Sequence, residues 1–304
     1  MKKIHITLAQ LQAFAAVIEA GSFTAASEQL GMTQSAVSHA IATLENELQI
    51  SLIERDPRRN RSAQSGMRLT AIGDRAIRLT RDILLNAEQI QQEAAAAVGL
   101  EAGKIRLGSF PSVSARFLPG LLRQFQQRFP GIEIILFEGT DDEVKEWILS
   151  RAVDVGVVPL PCHELDTMAI AHDEFLAVVS DTHPLAQHPQ IGLRQLANVP
   201  FILSNAGCKP AIMQMFRHAR VKPRIQFEVV DSRTIFAMVQ EGMGITIVPE
   251  MTLPNDLTHL HLLRLDPPPQ RDLALAVLSH DSATPAVQVF LQQAQDWAYS
   301  QNFL

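Results

Sequence analysis

The chain has 304 residues, enough for two or three domains, with 47% hydrophobic and 19% charged side chains, as suits a globular protein. No apolar run approaches the roughly 20 residues that span a bilayer. The start, MKKIHITLAQ, carries two lysines but no apolar core of an export signal. Net charge is −6, and the two cysteines, Cys162 and Cys208, fit no metal-ligand spacing. The expected setting is the reducing cytoplasm, with no membrane, metal or cofactor.

In chain order, Leu8, Leu11, Phe14, Val17 and Ile18 recur at helical spacing and predict a first amphipathic helix. Residues 21–45, GSFTAASEQLGMTQSAVSHAIATLE, read as two short helices and a tight turn. Ser22 or Thr24 can cap the first helix, and Thr33 the second. Ala25, Ala26 and Ser27 are small enough for a close crossing. Leu30 packs between the helices, and Gly31 takes the left-handed position past a helix end. Val37, Ile41 and Leu44 make one buried stripe. The opposite face carries Gln34, Ser35, Ser38 and His39, which suit base edges and phosphates in a major groove. Any helical hairpin can carry such residues, so their order has to strengthen the reading.

That order resembles the N-terminal domain of LysR-type transcriptional regulators over residues 8–55. The matching residues are Leu11-x-x-Phe14, Gly21-Ser22-Phe23-Thr24-Ala25-Ala26, Leu30-Gly31-Met32-Thr33-Gln34-Ser35-Ala36-Val37-Ser38, Ile41, Leu44-Glu45 and Leu52-Ile53-Glu54-Arg55. Ser27 departs from the family's usual alanine. The resemblance implies a winged helix-turn-helix with Thr33, Gln34, Ser35, Ser38 and His39 at double-stranded promoter DNA.

Charge is distributed unevenly. Residues 1–100 are neutral, and the whole −6 lies beyond them. Residues 55–81 hold eight arginines against Asp56 and Asp74. A charge run is usually a solvated face. Here Arg55, Arg58, Arg59 and Arg61 follow the reading helix directly, where a wing meets the DNA backbone or minor groove. The stretch NRSAQSGM, Asn60–Met67, is a few residues longer than the family's usual wing.

Residues 70–98 lack proline. Thr70 is the expected cap, and Ile72, Ala76, Leu79, Ile83, Ala87, Ile90, Ala94 and Ala97 form one apolar seam on a helix about 40 Å long. The bland alternative is a surface helix on the next domain. The favoured reading is a dimerisation helix that pairs two reading heads. Gly99–Gly103 is the expected hinge.

Beyond it, a strand at Ile105–Leu107, a helix through Phe129, a strand at Ile132–Phe137, a helix over 141–150 and a strand at Val153–Val158 predict an α/β domain with a mostly parallel sheet. Ligands in such sheets bind past strand ends, near helix starts. Ser109–Ser112 and Ser204–Cys208 are loops of that kind. The second half also resembles the two-lobed effector domain of the same family, itself like periplasmic binding proteins. Its marks are Phe129-Pro130-Gly131-Ile132, Asp154-Val155-Gly156-Val157, Asp181-x-His183-Pro184-Leu185 and Glu241–Pro249.

The fold class expected is therefore an N-terminal winged helix-turn-helix over 1–69, a linker helix and hinge over 70–103, and an effector domain over 104–304. Lobe 1 is placed at about 104–173 and 275–304, lobe 2 at about 174–274. The resemblance implies an effector among Ser109, Phe110, Ser112, Thr140, Pro159, Ser204 and Cys208. Two helix starts aimed at one cleft favour a small anion or carboxylate. Ordinary capping chemistry accounts for any one of these residues equally well.

Three rival functions remain, one of them a solute-binding protein built on the second half alone, which the N-terminal module and the lack of an export signal oppose. Cys208 beside Lys209 at a helix start could be a peroxide sensor, as in one branch of the family, but no second cysteine follows within the next helix. An enzyme finds no support, because no Gly-x-Ser-x-Gly, GxxxxGK[ST] or HExxH pattern occurs. The expected product is a non-enzymatic, effector-modulated transcription factor. It would act as a homodimer or homotetramer, with RNA polymerase as a further candidate partner.

Overall fold

The computed structural model describes residues 5–54, 68–97 and 103–304. The chain divides into two compact units, residues 1–98 and 99–304, each with its own apolar core.

The first unit opens with three helices, α1 (Leu8–Ala20), α2 (Phe23–Leu30) and α3 (Gln34–Leu48). Local chemistry sets each boundary. Thr7 and Gln10 form a reciprocal capping box at the start of α1, and Gly21 ends it in the left-handed conformation, φ 70°. Ser22, not Thr24, caps α2: its oxygen accepts from the Ala25 amide at 3.1 Å. Thr33 does the same for Ala36 at the start of α3, at 3.2 Å. Phe14, Val17, Ala26, Val37, Ile41 and Leu44 interlock as the core. Leu8, in the first turn of α1, is exposed and takes no part in it.

The helix α4 (Ala71–Ala97) follows. Its cap is Thr70, whose oxygen accepts from the Gly73 amide at 2.9 Å. Gly73 is required by contact: a Cβ there would lie 2.0 Å from the Leu52 carbonyl oxygen.

The second unit runs β1 (Gly103–Ser109), α5 (Pro111–Arg116), α6 (Leu118–Arg128), β2 (Ile132–Glu138), α7 (Asp141–Leu149), β3 (Val155–Pro159) and β4 (Asp166–Ser180). It continues through β5 (Gln190–Ile191), β6 (Pro200–Ser204), α8 (Lys209–His218), β7 (Arg224–Val229), α9 (Ser232–Gln240), β8 (Thr246–Pro249), β9 (Leu260–Leu265), β10 (Gln270–Val277) and α10 (Pro285–Ser300). The single helix expected through Phe129 is two helices. Pro119 has no amide to continue the first of them, and it sits in the opening turn of the second, where none is needed.

The main sheet has the order β2-β1-β3-β10-β4-β9-β5, with β8 also on β4. It is mixed rather than mostly parallel. β1 pairs parallel with β2 and β3, but β10 pairs antiparallel with both β3 and β4. The long strand β4 pairs with β10 along its first part and with β8 and β9 along its second. This return was not visible as a local pattern, because it joins residues about a hundred positions apart.

Strand alternation builds the cores. Leu273, Leu275 and Val277 of β10 face Phe117, Phe125 and Phe290, while Ala274 and Ala276 face Val144 and Ile148 of α7. Farther along, Phe175, Ala177 and Val179 of β4 join Phe201 and Phe216, and Leu176 and Val178 join Ile235 and Phe236. The result is two lobes that share β4.

Candidate functional site

Thr33, Gln34, Ser35, Ser38 and His39 are all exposed on the opening half of α3. Their presentation follows from the buried stripe Val37-Ile41-Leu44 on the opposite side. The Thr33 oxygen is also engaged at the helix cap and lies 3.0 Å from the Ser35 hydroxyl. Buried Glu45 accepts from the amides of Leu52 at 2.8 Å and Ile53 at 3.3 Å, which ties the chain after α3 to that helix. Ile53 and Leu69 then bridge as antiparallel neighbours. Arg55, Arg58, Arg59 and Arg61 lie outside the described residues.

The helix α4 has two apolar faces. Ile77 is buried in the three-helix core, with Ala76 and Leu84 partly buried against it. Leu79, Ile83 and Ile90 are 63%, 47% and 71% exposed. Ile72 and Ala94 are exposed too, whereas Ala87 is half-buried. The side chain of Ala97 and residues 99–102 of the expected hinge lie outside the described residues.

In the second unit a cavity of about 350 Å³ opens where β1, β6 and β8 end and where α8 and α9 start. Its volume suits a small metabolite. Phe110, Ser112, Ser204 and Cys208 line it, together with Glu138, Asp141, Asp231, Thr252 and Arg271. Of the other expected residues, Ser109 is fully buried and not part of the lining. Thr140 and Pro159 lie off its lining. The Thr140 oxygen is engaged at the start of α7, in a capping box with Glu143.

Arg271 dominates the site, and no local sequence pattern marks it. It stands opposite Asp173 in the β10–β4 register. Its Nε donates to Asp173 Oδ2 at 2.9 Å, and a terminal nitrogen donates to the same oxygen at 2.7 Å. That nitrogen also reaches the Ser112 hydroxyl at 2.9 Å. The other terminal nitrogen points to Cys208 Sγ at 3.8 Å. The guanidinium lies over the Phe110 ring, 5.3 Å from its centre. Asp173 is closed off on its other side, where its Oδ1 accepts from the Met251 amide at 3.0 Å. Both side chains are buried, at 9% and 1% exposure.

Asp141 and Cys208 titrate abnormally. Burial raises the carboxyl of Asp141 above its ordinary range, against the opposing pull of Arg271. Burial likewise pushes the Cys208 thiol up to about 11, and Arg271 only partly offsets this. Helix α8 opens at Cys208 without a side-chain cap. Cys162 packs beside the α7 core, whereas Cys208 packs beside the Phe201–Phe216 core. Among the described residues no group of three His, Cys, Asp or Glu side chains suits a metal ion, and no helix is long and apolar enough to cross a membrane.

An exposed reading helix and a two-lobed α/β unit with an interlobe cavity define a DNA-binding regulator with an effector-binding domain. Comparison with known proteins agrees. Residues 8–74 match the bacterial regulatory helix-turn-helix protein, lysR family, and residues 99–298 match the LysR substrate binding domain. The chain belongs to the LysR family of transcriptional regulators. It is 39% identical over 293 residues to YvbU of Bacillus subtilis (strain 168), an uncharacterized HTH-type transcriptional regulator; the match covers 96% of this chain and 98% of that one. A full-length OxyR variant from Pseudomonas aeruginosa shares the fold, with a TM-score of 0.74 at 19% identity over 96% of this chain and 98% of that one. The effector-binding domain of QuiR in complex with shikimate matches with a TM-score of 0.60 at 23% identity, over 67% of this chain and all of that one.

Proposed function

We propose that this regulator reads its operator with Gln34, Ser35, Ser38 and His39, while Thr33, Arg55, Arg58, Arg59 and Arg61 hold the DNA backbone. A small effector, in which an acidic group is expected, binds between the lobes and shifts their equilibrium. It does so only as far as its affinity differs between the two arrangements. The observation that carries the reading is the 350 Å³ cavity at the lobe junction, with a buried arginine in its wall. The shikimate held by the QuiR domain is a precedent for a carboxylate in such a domain. The exposed Leu79, Ile83 and Ile90 of α4 support self-association into a dimer or a dimer of dimers. The chain works as a cytoplasmic, non-enzymatic factor, and RNA polymerase is a further partner.

Redox sensing through Cys208 is the weaker alternative. A thiol with a pKa of about 11 is almost wholly protonated at neutral pH, and the thiolate is the reactive form.

The test is operator binding at fixed salt. Gln34→Ala or Ser38→Ala is expected to weaken specific binding by about 1–3 kcal/mol, roughly 5- to 150-fold. Effector-induced thermal stabilisation of the same variants stays unchanged. Unaltered operator affinity in both variants would remove α3 as the reading element.

A further inference from the structure

The charges around the interlobe cavity do not suit a plain anion. Four charged residues line it: Glu138, Asp141 and Asp231 are acidic, and Arg271 alone is basic. Arg271 is moreover already matched by buried Asp173. A dicarboxylate would bring further negative charge into a partly buried, already acidic space, where like charges repel strongly.

The three acids are not equivalent. Asp231 caps α9, accepting from the Thr234 amide at 3.2 Å and the Thr234 hydroxyl at 3.0 Å. Its charge is used within the fold. Glu138 is exposed at the end of β2. Asp141 is half-buried at the start of α7 and faces the loop before α8, where a Cβ on Gly207 would lie 3.0 Å from Asp141 Oδ1. Among the described residues no cationic side chain forms an ion pair with Asp141. Burial, only partly offset by the more distant charge of Arg271, accounts for its raised titration.

Arg271 has the complementary incompleteness. Nε and one terminal nitrogen are occupied by Asp173 and Ser112. Among the described residues the second terminal nitrogen meets only the sulfur of Cys208 at 3.8 Å, a weak acceptor. Ser204 and the uncapped start of α8 lie on the same wall.

We propose that the effector is a small amphoteric molecule of the amino-acid class, whose acid group bonds the second terminal nitrogen of Arg271 and whose protonated amine sits against Asp141 and Glu138. This rests on the interlobe cavity being the effector site. Each end of such a ligand meets a group the fold leaves incomplete, and the ligand adds no net charge. A dicarboxylate leaves Asp141 without a cation, and a diamine leaves Arg271 without an acceptor.

The experiment measures melting of the full chain with matched probes. They are the common amino acids, ornithine and 4-aminobutyrate; then succinate, glutarate and adipate; then putrescine and cadaverine. At least one amino acid is expected to raise Tm by about 5–10 °C when supplied at about a hundred times its Kd. Asp141→Asn should weaken that ligand by about tenfold or more. A melting curve of each variant without ligand establishes that it is folded. Stabilisation by dicarboxylates or diamines but by no amino acid, or by none of the probes, overturns the amphoteric class. So does equal binding to Asp141→Asn. A further variant, Ser204→Trp, fills the cavity. If it is folded and still binds the stabilising probe as well as wild type, the cavity itself is not the site. That outcome is distinct from a wrong ligand class inside the right cavity.

Discussion

Replacing Asp173 with alanine tests the element on which the cavity depends. The substitution leaves Arg271, 9% exposed, without the carboxylate it pairs with, and it leaves the Met251 amide without its acceptor. Breaking a buried pair from one side costs about 3–5 kcal/mol, because the remaining charge stays desolvated. For a unit of about 200 residues, each kcal/mol moves Tm by about 2–4 °C, so the expected loss is about 6–20 °C. Calorimetry or fluorimetry on the full chain reads this directly. A paired variant, Asp173→Leu with Arg271→Met, keeps the volume and removes both charges. It should recover most of the loss, since apolar replacement of a whole buried pair is often neutral or better. A drop of less than about 2 °C for Asp173→Ala would refute the reasoning. It would mean that Arg271 finds water or another partner through the cavity. Failure of the paired variant to recover would place the cost in packing rather than in the unpaired charge.

Three further predictions follow from single features. Leu79→Glu combined with Ile83→Glu puts charge on the exposed seam of α4 and should convert the protein to monomer in light scattering; an unchanged mass would remove that face as the dimer contact. Cys208, with its thiol near 11, should be alkylated by iodoacetamide at pH 8 about two orders of magnitude more slowly than a free thiol, with the rate still climbing between pH 8 and 10; a plateau near pH 9 would contradict the burial. Asp141 has its folded pKa raised above the ordinary 3.8, so its ionised form costs stability above the folded pKa and the cost fades as pH falls through it. Asp141→Asn should therefore melt higher than wild type at pH 7, by a margin that shrinks toward pH 4.

Local chemistry was readable from sequence because it acts within a few residues. The cap at Thr33, the left-handed turn at Gly31 and the stripe Val37-Ile41-Leu44 all follow from short-range spacing, and at α2 spacing leaves Ser22 and Thr24 open, of which the chain uses Ser22. The helix α4 and its exposed Ile72, Leu79, Ile83 and Ile90 are readable for the same reason, although Ala76, expected on that seam, packs against the three-helix core instead. What escaped was set by pairing across long separations. Arg271 sits in a strand opening Gln-Arg-Asp, which by composition looks like solvent-facing polar sequence. Only the register with β4 brings Arg271 against Asp173, 98 positions away, and turns it into a cavity wall. The antiparallel strand β10 at the centre of the sheet escaped likewise. Among the candidate effector residues, Thr140 illustrates the competing explanation: a threonine before three acidic residues reads equally as a cap, and its oxygen is used as one.

The Arg271–Asp173 pair sits where a lever on the cleft would act. Strand β4 leaves β10 near Asp173 and takes up β8 from Phe175 onward, so the pair sits where the shared strand passes from one lobe to the other. From that point Arg271 reaches Ser112, which follows β1, and Cys208, which precedes α8. Asp173 meanwhile holds Met251, just after β8. A ligand acid on the guanidinium would compete with the weak sulfur contact and leave the Asp173 bonds in place. It would therefore pull on the α8 side of the cleft while the shared strand stays anchored. An amine against Asp141, which faces Gly207 in the loop leading into α8, would act on the same segment from the other wall. Both ends of one small molecule would then bear on the loop 204–208. On the proposed reading, loop 204–208 would be the segment whose contacts differ between the two states, because an effector moves the equilibrium only through such differences.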